Sequence, residues 1–320
     1  MRKRLLSGIV VAAFLLNSAF AAAQWDPNPK YYPHLPGATL LTGDDCCLAL
    51  TTLNETHFLP TGKKSAWGEP GDYVDLHGTL SADGSLVAAT GLVQGQLEGA
   101  DTFLFLVYSA KEGTWRQYGY HHCRSTPAIS PDNSKLAFAI SSSERPHSVF
   151  IHFIDIKTGA ETEGPPVGSD PMIHLSWSPD GTRIVFDTSK WKPYPVDRWT
   201  DNSVEVLDLA DGRITKIADG RYPSWSPSGE WIAFLDASED QRAWLVHPDG
   251  SGKKLLTELS WGGDFWGQPV WSPDSRRVLL NQPWNPDKGT VAIHVVDLST
   301  YKRKRLFKDK VEVDGWAPGS

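Results

Sequence analysis

One four-residue turn, repeated at a nearly fixed interval, constrains the fold of this chain more than any other feature. Ser178-Pro179-Asp180-Gly181 stands between a short aromatic-bearing stretch, Leu175–Trp177, and a continuous apolar run, Ile184–Phe186. Each position suits a type I turn: Ser can bond the backbone, Pro pre-sets φ, and Asp and Gly suit the third and fourth places. A short apolar run closed by turn residues suits a strand buried on both faces. The same hairpin recurs with turn serines at Ser81, Ser130, Ser178, Ser226 and Ser272, at intervals of 49, 48, 48 and 46 residues. A partial copy begins at Gly315-Trp316-Ala317-Pro318.

Each interval holds further strand-like runs. These are Ser148–Ile156 in the second repeat, Ser203–Leu209 and Arg213–Ile217 in the third, and Val291–Leu298 and Tyr301–Phe307 in the fifth. Four short strands per period of about 48 residues predicts an all-β fold, the β-propeller. The chain of 320 residues holds about six such periods. The last copy supplies only an innermost strand, and Ala38–Thr42, Cys47–Leu53 and Thr56–Leu59 supply three more. The expectation is six four-stranded blades, closed by pairing the N- and C-terminal segments in one blade, with five and seven as the alternatives.

Residues 1–23 read as a secretory signal: Arg2, Lys3 and Arg4 form a basic head, Leu5–Leu16 an apolar middle, and Ala21-Ala22-Ala23 a small-residue cleavage site. The apolar run is shorter than a bilayer span requires. Residues 24–37 are expected to be an extension and 38–320 a single propeller, exported to the periplasm or beyond, without a membrane span and monomeric. A net charge of −7 gives no electrostatic footprint for nucleic acid. Cys46, Cys47 and Cys123 are an odd count and no disulfide framework.

A Ser-Pro-Asp-Gly turn preceded by Trp and followed by a strand such as Ile232-Ala233-Phe234 resembles the WD40-like repeats of TolB-type propellers. Similar repeats form the propellers of prolyl-oligopeptidase-type peptidases and oligogalacturonate lyases. The resemblance covers essentially all of the chain after residue 23, and it implies a fold more firmly than a function. TolB proteins carry an α/β domain before the propeller. With residues 24–37 ahead of the first blade strand, that domain is expected to be absent here, so the resemblance implies docking on the propeller rather than the family's complete envelope role.

Three places are candidates for function. The position four before each turn serine falls near the start of the innermost strand, which places His77, Thr126, His174, Tyr222 and Gln268 at the channel mouth as candidate ligand-binding residues. The simpler account there is a polar, water-filled channel. A second candidate is an aromatic loop face formed by Trp67, Tyr73, Trp191, Tyr194, Trp199, Trp261, Trp266 and Trp284. Stiff aromatic area of this kind commonly marks a binding surface, unless the loops bury it as local cores. By contrast, Trp177, Trp225, Trp271 and Trp316 belong to the repeat and are expected to pack between blades. Third, His121-His122-Cys123 with Cys46-Cys47 offers imidazole and thiolate, at a spacing that matches no recognised metal motif.

Catalytic signatures are missing. There is no Gly-x-Ser-x-Gly and no His-Glu-x-x-His, and Ser251-x-x-Lys254 lies in a predicted hairpin turn without its companions. No catalytic residue, cofactor or metal is therefore assigned. The expected function is a non-catalytic module at the cell envelope that binds a protein or polysaccharide through its loop-rich face. The alternative is a metal-dependent polysaccharide enzyme, resembling oligogalacturonate lyases, with His77, His174 and Tyr222 near the chemistry.

Overall fold

The computed structural model describes residues 38–43, 47–51, 56–58, 73–93, 102–121, 125–141, 148–168, 173–192, 198–236, 242–258, 267–285, 290–309 and 311–318. Their regular structure is all β. Three strands come first: β1 (Ala38–Gly43), β2 (Cys47–Thr51) and β3 (Thr56–Phe58). Blade 1 is β4 (Tyr73–Leu80), β5 (Leu86–Val93), β6 (Thr102–Ser109) and β7 (Thr114–His121). Blade 2 is β8 (Ala128–Ile129), β9 (Lys135–Ser141), β10 (Val149–Asp155) and β11 (Glu161–Gly168). Blade 3 is β12 (Leu175–Trp177), β13 (Arg183–Lys192), β14 (Arg198–Asp208) and β15 (Ile214–Asp219). Blade 4 is β16 (Arg221–Trp225), β17 (Ile232–Leu235), β18 (Ala243–Val246) and β19 (Lys254–Thr257). Blade 5 is β20 (Val270–Trp271), β21 (Arg277–Asn285), β22 (Thr290–Asp297) and β23 (Lys302–Asp309), and β24 (Val311–Ala317) follows it.

Five blades are thus each one continuous antiparallel meander, where six blades were expected. The remaining strands form a composite sheet in the order β24-β1-β2-β3, so the two ends of the chain pair. Ala38 lies opposite Ala317 and Gly43 opposite Val311, with one register shift at Leu40/Leu41. The first strands β4, β8, β12, β16, β20 and β24 each contact the next, and β24 contacts β4, which closes a ring. The all-β propeller expected from the repeat is the fold observed.

The turn of each hairpin is built as its residues dictate. In blade 3 the Gly181 N–H donates to the Ser178 carbonyl at 2.9 Å, and Gly181 takes the left-handed φ of 70° that a Cβ would disfavour. The Ser178 hydroxyl donates to Asp180 Oδ1 at 2.6 Å and accepts from the Arg183 N–H at 2.9 Å. Asp180 Oδ1 accepts in turn from the Thr182 N–H at 3.0 Å. The same Ser–Asp pair recurs as Ser81–Asp83, Ser130–Asp132 and Ser272–Asp274, and each of these serines is buried.

Packing lies between sheets. Phe138, Phe186 and Phe234 occupy one repeat register, eight after the turn serine, and none has exposed surface. One apolar cluster joins Val185, Val204 and Val206 of blade 3 to Trp225, Ile232 and Phe234 of blade 4. Another joins Val270, Leu279 and Ile293 of blade 5 to Val313 and Trp316 of β24. Burying each such side chain contributes roughly 2 kcal/mol, and stability accumulates blade by blade. The repeat tryptophans add directional bonds. Trp177 Nε1 donates to the Ala128 carbonyl of blade 2, and Trp271 Nε1 to the Ser224 carbonyl of blade 4, each at 3.0 Å.

Residues 1–37 lie outside the described residues, as do Cys46, His122 and Cys123 and the side chains of Cys47 and His121. Among the described residues no helix is long and apolar enough to cross a membrane.

Candidate functional site

The repeat register that yields one turn per blade also delivers one residue per blade to the opposite end of the first strand. Four of the five residues expected there are connected. Thr126 and His174, in neighbouring blades, form a parallel β-bridge. The rings of His174 and Tyr222 lie 4.4 Å apart, inclined at 52°. Gln268 Nε2 donates to the Pro223 carbonyl of blade 4 at 2.5 Å and to the Leu175 carbonyl of blade 3 at 3.3 Å. A blade 5 side chain reaches blade 3 only close to the axis. His77 lies in β4 opposite Thr90, and its side chain is outside the described residues.

The organising group is one that the sequence reading missed, Asp187. It lies in the interior of β13, opposite Val204, and is 4% exposed. Oδ1 accepts from the His174 backbone N–H at 2.7 Å, and Oδ2 from the Tyr222 backbone N–H, in the next blade, at 2.8 Å. His174 Nδ1 lies 3.0 Å from Oδ2 and 3.2 Å from Oδ1. An ionised carboxylate only accepts, so Nδ1 carries the proton and the ring orientation is set by Asp187. Nε2 is then the ring nitrogen left for a ligand, because no described residue bonds to it.

Tyr222 is held in an unusual backbone state. Its φ is +56°, a region that bulky L-residues rarely adopt, and the β16–β17 register shifts between Arg221 and Ser224. Such a conformation costs about 1–3 kcal/mol and persists where the surroundings over-determine it. Here the bond from its N–H to Asp187 and the contact of its ring with His174 do so.

Asp187 sits nine residues after its turn serine, and the same register holds Thr90, Ala139, Leu235 and Asn281 in the other blades. The polar members reach the following sheet. Thr90 Oγ1 donates to the Ser125 carbonyl at 3.2 Å. Asn281 Nδ2 donates to the Val313 carbonyl at 2.9 Å, and its Oδ1 accepts from the Val313 N–H at 3.1 Å. A charged residue directly after the apolar run Ile184-Val185-Phe186, where the strand continues, is the signal that would flag Asp187 in the sequence.

Several expectations are corrected by the strand limits. Tyr73, Trp191, Trp199 and Trp284 stand in β4, β13, β14 and β21 rather than in loops, and their side chains are outside the described residues. Trp191 and Trp199 are direct cross-strand partners. Aromatic residues suit a pleated surface, so the hairpin continues beyond the point where charged neighbours suggested a loop. Trp67, Tyr194, Trp261 and Trp266 lie outside the described residues altogether. Trp225 packs between blades as expected, against Val185, Val204 and Val206 of blade 3, while its Nε1 donates within its own blade, to the Gly229 carbonyl at 3.3 Å.

The described donors do not fit a metal centre. No group of three or more His, Cys, Asp or Glu is gathered among the described residues, and the Asp187 carboxylate is engaged by two backbone N–H groups and an imidazole.

No family model matches the sequence. A TolB homologue from Chlorobium luteolum is 29% identical over 127 residues, which is 38% of this chain and 26% of that protein. Dipeptidyl-peptidase 5 from Porphyromonas gingivalis is 30% identical over 137 residues, 39% of this chain and 20% of that protein. The match therefore spans about a quarter or less of these curated relatives. Among solved structures, TolB from Acinetobacter baumannii superimposes with a TM-score of 0.63 over 98% of this chain and 74% of its own, at 13% identity. An oligogalacturonate lyase in complex with manganese gives 0.51 over 86% of this chain and 73% of its own, at 14% identity. Identity this low speaks for shared architecture alone. With the sequence match and the near-complete superposition together, the chain is a TolB-like β-propeller.

Proposed function

We propose that this chain is an exported, non-catalytic binding module of the cell envelope, periplasmic or secreted, which receives a protein or polymer partner at its channel mouth. In this reading residues 1–23 are removed on export and residues 38–320 form the working unit. The composite sheet, which pairs the two ends of the chain, locks the ring. The single observation that carries the proposal is the fixed imidazole of His174. Asp187 orients it, the strained Tyr222 packs on it, and its Nε2 is left for a guest. The other polar groups nearby are already engaged, Asp187 and Gln268 in bonds between blades. The oriented imidazole offers a guest one directional hydrogen bond, and this fixed geometry suits recognition.

The test is a titration of the mature protein with envelope proteins and with acidic and neutral oligosaccharides, followed by tryptophan fluorescence. Binding that weakens about tenfold in His174→Ala, with the melting temperature preserved, supports the reading. Undiminished binding in that variant would move the site elsewhere. The metal-dependent lyase reading has less support, because the described donors supply one imidazole and an occupied carboxylate. Formation of unsaturated ends from oligogalacturonate at a His174-dependent rate would replace the binding reading with it.

A further inference from the structure

We propose that the outer edge of blade 5 is a docking edge for an extended acidic segment of a partner protein, which adds alongside β23 as a further strand. Among the described residues the sheet order β20-β21-β22-β23 leaves β23 with a neighbour on one side. Its sequence, Lys302-Arg303-Lys304-Arg305-Leu306-Phe307-Lys308-Asp309, contains no Pro or Gly, so every residue keeps a backbone donor. Lys302, Arg303, Lys304 and Arg305 are all exposed. Other outer strands offer less: β11 carries Pro165 and Pro166, β7 contains Gly119 and one arginine, the one lysine of β15 is paired with Asp219, β19 has four residues and β3 has three.

Charge selects the occupant. The chain carries a net charge of −7, yet four consecutive cations stand in this strand, and Lys254 of blade 4 reaches Tyr301 at its start. Two contacts join these cations into one patch. Arg303 Nη1 donates to the Glu258 carbonyl at 3.0 Å, and Lys254 Nζ sits 3.9 Å above the Tyr301 ring. Acidic residues nearby are Glu258, whose backbone carbonyl takes the Arg303 bond, and Asp297, which lies opposite Lys302 and whose Oδ1 accepts from the Ser299 N–H at 2.9 Å. No described carboxylate pairs with Lys302 or Lys304. Side chains alternate along a strand, so Lys302 and Lys304 line one face while Arg303 and Arg305 line the other. An added acidic strand would meet cations on both faces and form opposite-charge cross-strand pairs along its length. The same row of charges repels a second copy of this edge, which protects an exposed strand from self-association while leaving it open to an acidic partner.

The full chain is titrated by fluorescence anisotropy with a labelled synthetic peptide that alternates glutamate and valine. A second peptide of the same sequence has every other amide N-methylated, which keeps the charge and removes donors from the ladder. Vesicles of anionic phospholipid form a third arm. Binding of the first peptide is expected to weaken about tenfold in the Lys302→Ala, Lys304→Ala double variant, to persist in the corresponding Lys→Arg double variant, and to weaken about tenfold on N-methylation. His174→Ala leaves it unchanged, which separates this edge from the channel mouth. Equal binding of both peptides, absence of binding at low salt, or capture of vesicles without capture of peptide would each overturn the proposal.

Discussion

The two ends of the first strands follow opposite rules. At the turn end, the bonds that shape each hairpin span two to five residues: Ser130 to Asp132, and the Lys135 N–H back to Ser130, repeat what Ser178 does with Asp180 and Arg183, while a few such as Asn133 Nδ2 to Asp83 at 2.8 Å tie one turn to the next. At the mouth end, the bonds span much greater separations, 35 residues between Tyr222 and Asp187 and 93 between Gln268 and Leu175. The turn end is locally encoded and nearly identical in each blade. The mouth end differs in each blade, because residues there answer to a neighbour in space rather than in sequence. Chemistry that must be specific belongs at the end where blades differ.

The largest test of that contrast is closure. Deleting Val313–Ser320 removes the buried Val313 and Trp316 and both bonds to Asn281. The loss is on the order of 5 kcal/mol and lowers the melting temperature sharply. An unchanged melting curve would mean that the ends contribute nothing to the ring.

A single long-range clamp comes next. Asp187→Ala strips the acceptor from two backbone N–H groups in two blades, at a cost of about 2–3 kcal/mol by urea denaturation. Tyr222→Gly tolerates the positive φ but lacks the ring. Its stability should stay within about 1 kcal/mol of the parent, because relief of backbone strain offsets lost contact, while binding at the mouth is lost. A collapse of stability in that variant would make Tyr222 a structural residue instead.

Acid provides a subtler test. His294, buried between blades 4 and 5, has no hydrogen-bond partner for either ring nitrogen. Burial, with Arg303 and Arg305 nearby, holds its pKa down from 6.5 to about 4. The unfolded chain binds that proton first. Stability is therefore complete above about pH 6.5 and falls as pH drops towards about 4. His294→Leu should flatten this limb of a stability–pH curve, and an unaltered limb would assign it to other groups. The smallest effect belongs to one local turn, where Ser130→Ala costs about 1 kcal/mol at neutral pH. The Ser130 hydroxyl and the Ser134 N–H hold the Asp132 pKa down from 3.8 to about 2. That contribution is present above pH 3.8 and is lost as pH falls towards 2.

The strand runs legible in the sequence were those bounded by strong turn residues. Ser148–Ile156 corresponds to β10 and Val291–Leu298 to β22, each within a residue at either end. The hairpin of Trp191 and Trp199 reads as a loop because Lys190, Lys192, Pro193 and Pro195 interrupt its apolar pattern, although cross-strand pairing of its aromatics continues the sheet. At the channel mouth, the repeat register alone places His174 and Tyr222. Asp187 escaped because it lies on the second strand, where attention to the turn does not lead.

The sequence by itself determined the repeating unit. A Ser–Pro–Asp–Gly turn and its flanking strands interact within a few residues of one another, and any chain that repeats them every 48 or so residues must stack similar sheets. Tertiary structure alone decided which side chains meet at the axis. Whether Asp187 faces Tyr222, or Gln268 reaches Leu175, depends on the angle between blades and on a ring that the two chain ends must close together.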